Sequence, residues 1–323
     1  MKLVLGTMTF GESVFAPSVS EFVEMFLDAG YEELDTAYVY NEGGSEKLLG
    51  EVLPKLRHPY KISTKVNPRI TDKLDGEAAY SQLNESLKRL RVSTVDTFYL
   101  HFPDPATPVE SVLEVCNNLY QEGKFRELGL SNFPAWMVAD VWHVCHRNGW
   151  VLPTVFEGIY NPLTKKAETE LNACLNHFGM RFYAYNPMAG GLLTGRYGRY
   201  EDAPTDGRFT HRPNYQRRYW KKSYFDAVEI IKSSCEKEGI AIIEATYRWL
   251  AYHSMLNAER GDAIIIGASK LNHLKQNLET VKAGFLPDSI VDAFEKAWRC
   301  CKADSPEYFT LYKSKGSVGG EKK

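Results

Sequence analysis

Four residues of this chain could together move a proton: Asp35, Tyr40, Lys65 and His101. Three of them close short apolar or aromatic runs, in ELDT, KISTK and VDTFYLH, and Tyr40 follows the first run by a few residues. A tyrosine hydroxyl has a solution pKa near ~10 and is a poor acid at neutral pH. A neighbouring ammonium stabilises the phenolate and lowers that value, and a carboxylate paired with the lysine holds the ammonium in place. Singly, each residue has an ordinary role. An Asp-Thr pair caps a helix, a lone Tyr packs, a Lys beyond a strand is solvated, and a core His is satisfied by hydrogen bonds. At separate strand ends, the four types form a coherent set for acid catalysis at a carbonyl.

Residues of this kind need a frame that gathers strand ends. Eight short apolar runs recur at 3–7, 33–36, 60–65, 95–101, 126–131, 152–156, 181–186 and 263–266. They lack period-two alternation, as strands buried on both faces do. Between them lie amphipathic segments at 76–91, 108–122, 134–148, 168–177, 224–237 and 241–253. In the first, Ala79, Leu83, Leu87 and Leu90 share one helical face. Thr107-Pro108 with Glu110 reads as an N-cap and capping box. Strand–helix alternation implies a parallel sheet, and eight units favour a single closed (β/α)8 TIM barrel over residues 1–312. No GxGxxG follows the first run, so the open dinucleotide-binding fold lacks its signature.

The segment 190–222 after the seventh strand is too long for an ordinary connection and reads as a binding loop, rich in Gly, Pro, aromatic and basic residues. A C-terminal helix follows the eighth strand, and residues 313–323 read as a flexible tail. Barrel enzymes place their chemistry at the C-terminal edge of the strands. That edge adds Gly6, Thr7, Met8, Ser131, Asn132, Glu157, Tyr185 and Asn186 to the candidates.

Composition excludes other classes. The 323 residues carry 39 Lys+Arg and 41 Asp+Glu, a net charge of −2, which argues against nucleic acid as the partner. A hydrophobic content of 44% excludes a disordered or collagen-like chain. The six cysteines form no CxxC pair and no zinc-type spacing, so they read as reduced thiols and no metal is expected. The first residues lack the pattern of a signal peptide, and no stretch reaches the ~18 apolar residues of a membrane span. The expectation is a cytoplasmic protein with no membrane partner.

LGTMTFG, LDTAYVY, STK, LHFPD, GLSNF and AYNPMAGGLLTGRY, in this order, resemble the aldo-keto reductases. ATPVES, EGKFRELGLSN, NGWVLPTV, YRWLAYHS, GDAIIIGAS and VDAFEKAW are similar to the aflatoxin aldehyde reductase branch, which also reduces succinic semialdehyde. The resemblance implies NADPH/NADP+ as cofactor and a small-molecule carbonyl substrate. It implies Tyr40 as proton donor, Lys65 lowering its pKa, Asp35 pairing with Lys65, and His101 orienting the carbonyl. It assigns Ser131 and Asn132 to the nicotinamide amide and Tyr185 to the ring face. Asn186, Met188, Gly190 and Leu192 would follow the pyrophosphate. Gly267, Ser269, Lys270 and His273 would sit near the 2′-phosphate, with Gln276 and Asn277 near the adenine, while Gly6, Thr7 and Met8 would flank the cofactor.

Met8, Tyr40, His101 and Phe102 would line the reacting end. Arg218 and Trp220, in a loop that also carries Arg217, match residues associated with acidic aldehydes. A homodimer is implied by resemblance alone.

The chain departs from the family pattern at several positions. Glu157 stands where the family usually has Gln; it would favour the oxidised, cationic ring if ionised, or be kept protonated by burial. His273 replaces an Arg found in many members outside the branch. Phe102 replaces a small residue and narrows the mouth. Thr310 follows Tyr308-Phe309 where the resembling enzymes end in Arg. One alternative is a redox-sensing regulatory module, as the potassium-channel β subunits of this family are. Another is a phosphate-handling barrel lyase or isomerase with a Schiff-base lysine.

Overall fold

A computed structural model describes residues 1–202, 204–205 and 207–314. Eight strands form a closed parallel barrel in sequence order, β1 Lys2–Gly6, β2 Glu33–Asp35, β3 Lys61–Val66, β4 Val95–Leu100, β5 Phe125–Ser131, β6 Pro153–Ile159, β7 Arg181–Tyr185 and β8 Ala263–Ile266. β8 closes on β1, pairing Lys2 with Ala263 and Leu5 with Ile266. The expected (β/α)8 architecture is the observed one.

Two local expectations are corrected. β6 continues past Phe156 to Ile159, because Glu157, Gly158 and Ile159 keep register with Tyr183, Ala184 and Tyr185. Glu157 therefore lies within the strand rather than after it. Thr107 does not cap the helix Val109–Gln121, whose N-cap is Pro108. The Thr107 hydroxyl donates instead to Asp104 Oδ2, since a side chain in a loop takes the nearest strong acceptor.

The barrel interior is filled by Val4, Tyr99, Val155, Tyr183, Ala263 and Ile265. Tyr99 fits because its neighbour on β5 is Gly129, where a Cβ would lie 2.3 Å from the ring. The larger core lies between barrel and helices. The C-terminal helix Asp288–Cys301 buries Ile290, Phe294, Ala297, Trp298 and Cys301 along one stripe and packs on the helix Lys222–Glu238. Among the described residues no helix is long and apolar enough to cross a membrane.

The long connection after β7 is ordered into a turn at Ala189–Thr194 and two short helices, Arg208–His211 and Pro213–Tyr219. Gly190 has φ +73°, and a Cβ there would come within 2.9 Å of the Tyr215 ring, so both backbone and space require glycine. The expected tail falls mostly on residues 315–323, outside the described residues. Before it, Tyr312 N–H donates to Pro103 O at 2.9 Å and Ser314 Oγ donates to Asp72 Oδ2 at 2.8 Å.

Candidate active site

The strand C-termini open into a cavity of about 320 Å³. At its base is Lys65, with no exposed surface. Its ammonium donates to Asp35 Oδ1 and to Thr36 O at 2.8 Å. Ser63 Oγ donates to the same Asp35 oxygen at 2.7 Å. The register pairing Asp35 with Ser63 on β3 sets this geometry. An ion this deep persists because its charge is paired and its donors are used.

Glu157 adds a second carboxylate. Its Oε2 lies 3.2 Å from Lys65 Nζ but accepts no hydrogen bond, so the ammonium attracts the acid without satisfying it. Burial, then the Asp35 charge, push the Glu157 carboxyl up to about 8, against the opposing pull of Lys65. At neutral pH the acid therefore keeps its proton, the second of the two states expected for it. Protonated, it can both donate and accept, as Gln does.

Tyr40 follows β2 at the start of a 3-10 turn in which Asn41 and Glu42 adopt left-handed φ of 51° and 55°. Asn41 Nδ2 holds this strained turn by donating to Met8 O and Phe10 O at 2.9 and 2.7 Å. The Tyr40 ring centroid lies 5.4 Å from Lys65 Nζ and 6.0 Å from the His101 ring. The expectation that Lys65 lowers the Tyr40 pKa is corrected. Burial first, then Asp35 and Glu157, hold it well above 10. Tyr40 is thus a fully protonated donor at physiological pH.

His101 is turned to a single tautomer by Asn67. The Asn67 Oδ1 accepts from Arg69 N–H at 3.0 Å, which fixes the amide's orientation. Its Nδ2 then faces His101 Nδ1 at 3.1 Å as a donor. The proton of a neutral ring must sit on Nε2. Burial, then Lys65 and Arg69, hold His101 well below 6.5, so the ring is neutral. A neutral donor beside a phenol suits an oxygen that gains negative charge.

The wall beside this group is polar and preset. Asn132, with φ 62°, donates to His101 O and Ser131 Oγ, both at 2.9 Å, and its Oδ1 accepts from Tyr185 Oη at 2.7 Å. The Asn132 donors are spent, while the Ser131 hydroxyl keeps a free proton. A carboxamide meeting this wall finds a donor in Ser131, an acceptor lone pair on Asn132 and the Tyr185 ring. The donor set fits a nicotinamide.

Most expected site residues meet at this cavity: Gly6, Met8, Asp35, Tyr40, His101 and Phe102 on one side, and Ser131, Asn132, Glu157, Tyr185, Asn186, Met188, Arg218 and Gly267 on the other. Thr7 does not line it, since its hydroxyl is buried against Asp35 O and Ser45. Gly190 sits beneath the wall, its N–H on Asn186 Oδ1 at 2.8 Å, and Leu192 is in the core. Trp220 is turned away, in an aromatic cluster with Tyr197, Phe209 and Phe225, with its indole N–H on Tyr200 O at 3.0 Å. Ser269, Lys270, His273 and Gln276 are exposed beyond Gly267, around the start of the helix Leu271–Thr280, with Asn277 buried on its inner face. Arg217 faces solvent.

The sequence reading missed Asn67, Arg69, Arg208, Arg212 and Tyr215 on the cavity wall. Asn67-Pro68-Arg69 directly follows β3, and that strand-end position was the available signal.

The chain has known relatives. Residues 2–299 match the model of the aldo/keto reductase family. Aldo-keto reductase family 7 member A3 of Homo sapiens is 45% identical, covering 95% of this chain and 96% of its own length. Aflatoxin B1 aldehyde reductase member 2 of Homo sapiens is also 45% identical, over 95% and 89% respectively. The fungal oxidoreductase sirO of Leptosphaeria maculans is 32% identical over 95% and 96%. With the match nearly end to end, the chain belongs to the aldo/keto reductase family and is an oxidoreductase of aldehydes and ketones.

Proposed function

We propose that the protein reduces aldehydes and reactive ketones to alcohols with NADPH, favouring dicarbonyls, succinic semialdehyde-like acids and aromatic aldehydes. The convergence of protonated Tyr40 and neutral His101 above the buried Lys65–Asp35 pair carries this reading. The hydride for the carbonyl carbon would be the chemistry that a reduced nicotinamide supplies when bound. As the carbonyl oxygen gains charge, His101 Nε2–H donates to it and Tyr40 transfers its proton. Lys65, held by Asp35, offsets the phenolate that remains. Ser131 and Tyr185 would hold the carboxamide and the ring. Ser269 and Lys270 lead into the helix Leu271–Thr280, whose N-cap Lys270 makes no side-chain cap hydrogen bond, and a helix N-terminus with a cation beside it would favour a 2′-phosphate. The reading includes a homodimer in the cytoplasm, which sedimentation and cell fractionation check.

The test is loss of NADPH absorbance with 4-nitrobenzaldehyde and succinic semialdehyde, with NADH and a Tyr40→Phe variant in parallel. Turnover that needs Tyr40 and prefers NADPH is expected. Tight NADPH binding with no turnover overturns the reductase reading in favour of a redox-sensing module.

A further inference from the structure

The cavity wall carries a cation whose part in the proposed reaction is only, with burial and Lys65, to keep His101 neutral. In the closed barrel, β3 and β4 lie across from β7 and β8. Groups that follow β3 and β4 therefore face the side away from the stretch between Asn186 and Gly267. Arg69 stands there, on a short helix whose backbone is fixed by Asn67 as cap and Pro68 at its first position. Its guanidinium lies 4.4 Å from the Phe102 ring centroid. Phe102 in turn stacks on His101 at 4.7 Å and 18°. The bulky residue at 102 is thus a ledge that carries Arg69 beside the imidazole facing the substrate oxygen.

Arg218 approaches from the long loop, over the rings of Tyr215 and Tyr219 at 5.6 and 6.0 Å. Among the described residues no carboxylate reaches ion-pair distance of either guanidinium. Arg212, on the same wall, differs in being held by both oxygens of Glu12 at 2.9 Å. The two cations repel: burial first, and then Arg218, lower the Arg69 pKa against the opposing pull of Tyr312 and Tyr185. Turning two unneutralised guanidinium groups into one cavity is unfavourable until an anion enters.

We propose that Arg69 and Arg218 form a two-sided anion clamp above Tyr40 and His101 that selects carbonyl compounds bearing two negative charges. The inference rests on the reductase reading and deepens it. Arg218 serves one charge and Arg69 the second. The dianion is either a second carboxylate or a phosphate, two sources of the same chemistry.

The test compares wild type, Arg69→Met and Arg218→Met on four substrates: neutral 4-nitrobenzaldehyde, monoanionic succinic semialdehyde, 2-oxoglutarate and glyceraldehyde 3-phosphate. Arg69→Met is expected to raise KM for a dianion by about 10- to 100-fold, the range for one charge-assisted hydrogen bond, with kcat retained. Its effect on succinic semialdehyde is smaller, and that on 4-nitrobenzaldehyde, which has no anionic group, is the smallest. The dianion that suffers the loss identifies the source. An equal change for all four substrates overturns the clamp. Calorimetric titration of the protein with glutarate and with inorganic phosphate reads the clamp without turnover. Binding of one of them that weakens at least about tenfold in Arg69→Met supports it, and unchanged or absent binding of both overturns it. Failure of wild type to reduce 4-nitrobenzaldehyde strikes the reductase reading alone, since the titration still decides the clamp.

Discussion

Replacing Glu157 with Gln keeps the side chain's shape and removes its titration. The carboxyl is 3% exposed and titrates at about 8, against an ordinary value of 4.5. The groups facing it are Lys65 and Asp35 below, and Tyr40, Tyr99 and Tyr185 around it. His101 is held well below its ordinary 6.5, while Tyr40, Tyr99 and Lys65 are raised from ordinary values of 10 or more. An acid whose folded pKa is raised binds its proton more tightly when folded. Its contribution to stability is complete below about 4.5 and is lost as pH rises through 8. Each pH unit between those values costs about 1.4 kcal/mol, so from pH 6 to pH 9 the loss is about 2–3 kcal/mol. Urea unfolding of both proteins at the two pH values measures it. The Gln variant should gain about 2–3 kcal/mol on wild type between pH 6 and pH 9. Parallel stability curves would refute the reasoning. A second readout is the ratio of NADP+ to NADPH affinity by fluorescence titration. In wild type it should move toward NADP+ by on the order of tenfold as the carboxylate forms, and stay flat in Glu157→Gln. An unchanged ratio in wild type would sink the charge argument.

Other perturbations test single parts of the frame. Asn67→Ala frees the His101 ring to flip and to move its proton; kcat should fall about 10- to 100-fold with KM nearly constant, read by steady-state kinetics. Gly129→Ala drives a Cβ into the Tyr99 ring and should lower stability by about 1–3 kcal/mol in chemical unfolding. Arg89→Met leaves Glu46, buried and hydrogen-bonded to Thr64, without its cation; a loss of about 3–5 kcal/mol is expected at pH 7, shrinking as Glu46 is protonated at acid pH.

The amino-acid sequence by itself determined the eight strands and the barrel, and it pointed to the four groups proposed to carry the proton transfer. These are local matters: an apolar run of strand length, an amphipathic helix after it, and a reactive residue where the run stops. Asp35, Tyr40, Lys65 and His101 could be named because a parallel barrel brings every strand C-terminus to one rim. What the strands' neighbours do to one another was not legible. Glu157 meets Lys65 only through the register of β6 against β5 and β7 and the depth of the barrel interior. Its retained proton and the raised Tyr40 follow from that burial. Asn67 selects the His101 tautomer, Phe102 carries Arg69, and Trp220 turns into a loop cluster through contacts between residues distant in sequence. The tertiary structure alone decided them, because separation, desolvation and the partner of each polar atom are set by packing that no local window encodes.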